Sequence, residues 1–342
     1  MENGCLCVEP PGARPVRIPP EHAAEILVYG SWSLTSPVLG LAAEHAIPIS
    51  FFSFTGEWTG RLDTGEAAGS HDGEMSDAYA FDTLRAQWRL AAGEESALAF
   101  ARRFVAGKLH NSRTVLAVAR CRSRAAGEDR AALAETAAIL RRATHQLEGT
   151  ASFDALRGVE GSAARAHFGA LARCILPEAR AEFPFAGRNR RPPRDPFNAL
   201  LSYLYALLFH DCVNALRAEG LETRLGFLHA PHRGRHALAL DLMEELRPLV
   251  ADRLALALVN RRQLRAAHFT ADPVTGAVLL GADGRRVLFQ ARAARQNETI
   301  LPPGTVRTPI AWRAVPRHQA RLLAAALRAG DPALYAPFTP RL

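Results

Sequence analysis

The stretch from Asp195-Pro196 to Gly220 constrains this chain more than any other. Asp is a good helix cap, Pro is preorganised for the first helical position, and Gly ends a helix cleanly. The helix between them runs about 24 residues, or some 36 Å at about 1.5 Å per residue. Its apolar side chains lie nearly all round, so it has no face to give to water and belongs at the centre of a helical core. Its longest near-apolar run, Ala199 to Phe209, contains Ser202 and two Tyr. That run falls short of the roughly 20 apolar residues a bilayer crossing needs, so protein rather than lipid is expected around it, and no membrane partner.

The rest of the chain sorts around this helix. Its 342 residues leave room for two or three domains, one large and one small also allowed. A chain this long buries roughly 75% of its unfolded surface and needs no disulfide or metal staple. Ile26-Leu27-Val28-Tyr29 and Ile47 to Phe54 read as strands, Glu57 to Leu62 as a third after the turn Thr55-Gly56, and Ser36-Pro37 as a helix start. Residues 63–78 are Gly-rich and acidic and read as a linker. Helical spacing follows, with Phe81, Leu84 and Trp88 expected as a buried stripe, and continues to about residue 172. A helix is expected to open near Leu240, a hairpin at Asp283-Gly284, and a last helix over Pro316 to Ala329. The expected class is α+β: a small β-rich N-terminal domain over 1–77, then a larger all-α domain over 78–342. No internal repeat is visible.

The chain is 48% apolar and 22% charged, a globular composition. It starts Met1-Glu2-Asn3-Gly4 with no basic-then-apolar leader, and a cytoplasmic location is expected. Five scattered Cys argue against a disulfide framework, and Cys5-x-Cys7 has no second pair for zinc. Net charge is +8 with 42 basic residues, of which only Lys108 is a lysine. The Arg bias fits a GC-rich genome; the distribution is more informative. Residues 1–84 carry −9 and residues 85–342 carry +17, so the second part is the one expected to face phosphate.

The P-loop, GxGxxG, HExxH and GxSxG signatures are absent. Three other segments stand out. In Arg157-Gly158-Val159-Glu160-Gly161, the carboxylate sits between glycines at what reads as a helix start. Either small neighbours leave it room for chemistry, or it is an acid favoured by the helix dipole. Gly226-Phe227-Leu228-His229 ends an apolar loop on a His that is structural or functional. His232 and His236 follow, but Arg233-Gly234-Arg235 between them fits a solvated loop better than zinc. In Asp241-Leu242-Met243-Glu244-Glu245-Leu246-Arg247-Pro248, Asp241 and Glu244 share a helix face. Two carboxylates together ask for a cation, either a hard metal or Arg247. Pro248 leaves the Glu244 carbonyl without its donor, so a kink or stop is expected. Arg188, Arg190, Arg191 and Arg194 lie on a Pro-stiffened loop suited to bidentate phosphate contact, or to a solvated linker. Lys108 to Arg113 forms a weaker basic site.

Taken together, the Arg-rich loop, Asp195 to Tyr203, Gly226 to His229 and Ala239 to Pro248 closely resemble the CRISPR-associated spacer integrase family, the Cas protein numbered one. Residues 28–60, Lys108 to Arg113 and Arg157 to Gly161 match more weakly, and the resemblance covers about residues 12–340. It implies a homodimer that joins the small second adaptation protein and inserts short double-stranded DNA into a CRISPR array. It implies Mg²⁺ or Mn²⁺ on Glu160, His229 and Glu244, with Asp241 an adjacent catalytic acid. A type I system, subtype C, is suggested by the Arg-Pro-Pro-Arg-Asp-Pro and Asp-Leu-Met-Glu-Glu runs. The family usually has another strand or so before residues 5–18, whose loss would weaken the β domain and dimer contacts. His167 stands where the family commonly has Tyr, with DNA contact or support of the metal site as its expected role. A stand-alone structure-selective nuclease and a catalytically idle DNA-binding assembly protein are the alternatives.

Overall fold

The computed structural model describes residues 4–9, 14–23, 25–53, 58–62, 77–122, 127–189, 192–304 and 308–341. Most of the 63–78 linker, and Arg190 and Arg191, lie outside the described residues. The chain divides into two units, Met1–Met75 and Ser76–Leu342.

In the first unit, β1 (Leu6–Val8) pairs antiparallel with β2 (Val16–Ile18). Strand β3 (Ile26–Tyr29) lies parallel to β4 (Ile49–Phe52), which pairs antiparallel with β5 (Trp58–Leu62). Parallel neighbours need a crossover, and α1 (Ser36–Glu44) supplies it. The unit's core is Leu6, Val28, Leu41, Ala42, Ile47 and Ile49, with Tyr29 stacked on Phe52 at 4.6 Å. Helix α1 begins one residue earlier than the Ser cap implies: Thr35 is the cap and Pro37 the second helical residue.

The second unit is mostly helical. Helices α2 (Asp77–Ala92), α3 (Glu94–Arg122), α4 (Gly127–Glu148) and α5 (Phe153–Leu171) lead to the short α6 (Pro177–Arg180) and the central α7 (Pro196–Ala218). Asp195 caps α7 by accepting from the Asn198 N–H at 2.8 Å, and Gly220 takes a positive φ of 69° after its end. This helix is long and apolar enough to cross a membrane by length and composition, but 72% of its most apolar 18-residue stretch is buried inside the protein. Helix α8 (Ala237–Leu246) runs into a π-helical turn (Arg247–Asp252), then α9 (Arg253–Asn260). The widened turn is the distortion expected from Pro248. Helices α10 (Ala282–Asn297) and α11 (Val315–Ala329) complete the unit. Two short antiparallel ribbons interrupt the helices: β6 (Phe269–Ala271) with β7 (Val278–Leu280), and β8 (Thr299–Ile300) with β9 (Ile310–Ala311).

Two sequence expectations fail here. No hairpin forms at Asp283-Gly284: both residues lie in the first turn of α10. The glycine serves packing instead, since a Cβ on Gly284 would stand 2.5 Å from Leu280 and 3.0 Å from His268. The Phe81-Leu84-Trp88 stripe faces outward, with Phe81 64% and Trp88 59% exposed. The buried face of α2 is Thr83, Ala86 and Gln87. Arg328 of α11 donates to Thr83, and the Gln87 amide donates to the carbonyls of Glu222 and Leu225 at 2.8 and 2.7 Å.

Candidate active site

Glu160 lies on α5, two turns in rather than at its start. Ser152 caps that helix by accepting from Ala155 at 3.2 Å, so no dipole argument reaches Glu160. Gly158 and Gly161 flank it with nothing within 4 Å of a notional Cβ, while Ala163 is fully buried, so open space lies on the glycine side.

His229 is placed by its neighbours. Phe227 packs on Phe100 at 4.9 Å and Leu228 is buried. The fully buried Asp241 carboxylate accepts from the N–H groups of Phe227, Leu228 and His229 at 2.6, 3.0 and 3.0 Å. It also accepts from His229 Nδ1 at 2.6 Å. A carboxylate offers only acceptors, so Nδ1 carries a proton, and Nε2 is the ring nitrogen left for another partner. Gly226 is obligatory at this close approach: a Cβ would stand 2.8 Å from Asp241 Oδ2 and 2.9 Å from Ala237. Asp241 therefore positions His229, and its oxygens are spent; this corrects its assignment as a catalytic acid.

Glu244, one turn along α8, is 5% exposed. Its Oε1 lies 3.3 Å from Arg247 and its Oε2 2.6 Å from the ammonium of Lys108 on α3. The same ammonium pairs with Glu160. Burial alone would raise the Glu244 carboxyl; Arg247, Lys108 and His229 outweigh it and bring it down to about 2. Lys108 is buried too, but Glu244 and Glu160 hold its pKa above the usual value. The lysine expected to grip DNA instead ties the two key carboxylates together. The acids of α8 do not form a solvated face either, since Asp241, Glu244 and Glu245 are all buried.

Behind Glu244 lies a brace that the sequence did not reveal. The Arg247 guanidinium sits 4.9 Å above the Tyr205 ring, and the Tyr205 hydroxyl donates to Asp252 at 2.6 Å. His167 Nε2 meets the other Asp252 oxygen at 2.9 Å. His167 is 4% exposed, so it cannot touch DNA; it ties α5, which carries Glu160, to the π turn that follows Glu244. Tyr205 had one legible signal, a phenol inside an apolar helix that needs a buried partner.

The basic residues divide. Arg188 turns inward, donating to Asn198 Oδ1 at 2.8 Å and Ser202 at 2.9 Å and covering the Tyr205 ring at 5.3 Å, which removes it from the DNA-binding set. Arg194 is exposed. Arg113, five residues past Lys108, points to another helix face, into a groove of about 380 Å³ between α3 and α4 with Arg120 and Arg141.

Among the described residues, no three His, Cys, Asp or Glu side chains stand close enough to form a ready metal cluster. Two carboxylates do converge on one cation, with His229 near enough to act on Glu244. Oxygen donors with one imidazole fit Mg²⁺ or Mn²⁺, the imidazole favouring Mn²⁺.

Residues 1–293 match the family described as CRISPR associated protein Cas1. The chain belongs to the Cas1 family. It is 38% identical over 341 residues to the CRISPR-associated endonuclease Cas1 1 of Moorella thermoacetica, covering 100% of this chain and 95% of that Cas1 protein. Among solved structures, a casposase bound to integration product is similar with a TM-score of 0.79 at 20% identity, covering 100% of this chain and 92% of that one. A chain of a Cas6-RT-Cas1–Cas2 complex is similar with a TM-score of 0.76 at 23% identity, covering 100% of this chain and 35% of that one. Both likenesses are of the Cas1 fold.

Proposed function

We propose that this protein is a metal-dependent DNA integrase of CRISPR adaptation. The observation that carries the reading is the convergence of Glu160 and Glu244 on one cation beside a His229 whose Nδ1 is already engaged. Glu160, Glu244 and His229 Nε2 would hold Mg²⁺ or Mn²⁺, which neutralises charge at a scissile phosphate and its attacking oxygen. The chain's own groups do the rest. Asp241 fixes the imidazole, Arg247 keeps Glu244 ionised, and exposed basic residues grip the DNA backbone with little reading of sequence. A DNA 3′-hydroxyl attacks phosphorus, one P–O bond forming as another breaks and a new 3′-hydroxyl leaving with the proton. The bonds exchanged are alike, so no high-energy cofactor is needed. Attack by water gives cleavage instead, the reading favoured by the endonuclease name of the relatives. A homodimer acting with Cas2 in a type I-C setting is part of this proposal; similarity to a chain of a Cas6-RT-Cas1–Cas2 complex supports the Cas2 partner.

The test mixes the protein and its Cas2 partner with a short 3′-hydroxyl duplex and a supercoiled plasmid carrying a repeat, in Mn²⁺ or EDTA. Joined products should require the metal and disappear in Glu160→Ala, His229→Ala and Glu244→Ala proteins of unchanged circular dichroism. Cleavage without joining would replace the integrase with a nuclease, and full activity of Glu244→Ala would defeat the site.

A further inference from the structure

The two carboxylates of the site already share a cation, and that cation belongs to the chain. Lys108 pairs with both Glu160 and Glu244, with only 14% of its side chain exposed. Resting on the metal reading above, we propose that Lys108 is a displaceable internal cation. Its ammonium competes with a divalent metal for the space between Glu160 and Glu244, and an incoming DNA phosphate draws it away. Metal and DNA then bind together rather than independently.

Three observations favour this over a fixed structural ion pair. The first is charge. Glu160 and Glu244 carry two negative charges, and Lys108 and Arg247 balance them. A divalent cation beside Glu160 and Glu244 repels the Lys108 ammonium at close range, and a phosphodiester offers that ammonium another anion. The second is the contrast between the two basic groups. Arg247 is pinned between Glu244 and the Tyr205 ring, whereas Lys108 reaches its partners on a flexible four-carbon stem from α3. The third is residue choice. Of 42 basic residues this is the one lysine. An arginine here would clamp a carboxylate with a planar fork; an ammonium is a point charge that changes partners easily. Coupling of this kind is reciprocal, so whatever factor DNA adds to metal affinity, metal adds to DNA affinity.

The experiment titrates Mn²⁺ into the full-length protein, following loss of the free-ion electron paramagnetic resonance signal. Wild type, Lys108→Met, Lys108→Gln and Lys108→Arg are compared, each with and without a short duplex, after correction for Mn²⁺ bound by the duplex alone. Without DNA, the Met and Gln variants should bind Mn²⁺ at least tenfold more tightly than wild type, and the Arg variant no more tightly. Adding the duplex should tighten binding by wild type and leave the Met and Gln variants unmoved. Met and Gln variants that bind no more tightly than wild type would overturn the proposal. So would a wild-type affinity indifferent to DNA, which decides the matter even if the neutral variants fail to fold. No Mn²⁺ binding by any of the four proteins would remove the metal reading, and this inference with it.

Discussion

Asp241 shows how far a residue's role depends on what folds back onto it. In the sequence it is one of two acids three apart on a helix, and that spacing is real. The sequence does not show that the loop from Gly226 to His229 turns its N–H groups onto one of the two acids. An Asn at 241 keeps the shape but loses one acceptor oxygen and the charge. Asp241→Asn should cut strand transfer by about 10- to 100-fold, the usual cost of losing a group that orients a metal-binding imidazole. The melting temperature should fall as well, because a buried N–H loses its partner. An Asp241→Asn protein as active as wild type would show that His229 needs no such support. His167 carries the same lesson: its position seven residues after Glu160 was legible, but its burial against Asp252 was not.

At the level of elements, punctuation was easier to read than faces. Asp195-Pro196, Gly220 and Pro248 act locally on the backbone, and each does what its chemistry demands. Deciding which side of α2 is buried needs the partner. Phe81, Leu84 and Trp88 have the right period, but so do Thr83, Ala86 and Gln87 on the opposite side. Helix α11 and the 222–225 loop select the smaller, polar face because it permits close approach and hydrogen bonds. Trp88→Ser should therefore change stability in denaturant by no more than about 0.5 kcal/mol, whereas a core Trp would cost about 3–5 kcal/mol on truncation. A loss of the larger size would mean that Trp88 has a partner in the folded protein. Asp283-Gly284 failed for a related reason: the pair is a turn signal only when nothing packs against the glycine, and Leu280 and His268 do.

Over the whole molecule, the division between an acidic first part and a basic second part was readable by counting. Which arginines face outward was not. Arg188 and Arg194 come from the same loop, and six residues separate a guanidinium held by Asn198, Ser202 and Tyr205 from an exposed one. The two substitutions should part company accordingly. Arg194→Ala should leave the melting temperature unchanged and reduce the slope of log DNA affinity against log salt by about one phosphate contact. Arg188→Ala should lower the melting temperature, with any loss of DNA affinity following from that.

Glu245 follows Glu244 on α8 and is fully buried. Its carboxyl is pushed up to about 7 by burial, with Tyr335, Gln319 and the Phe338 N–H hydrogen-bonded to it. Those partners lie between 74 and 93 residues further along the chain. At about 5–20 residues per second, a ribosome needs several seconds more to deliver them after α8 has been made. For that interval the groups that bond the Glu245 carboxyl in the folded protein are not yet made. The helix that carries Glu244 therefore gains its Glu245 anchor only once Gln319, Tyr335 and Phe338 have been made.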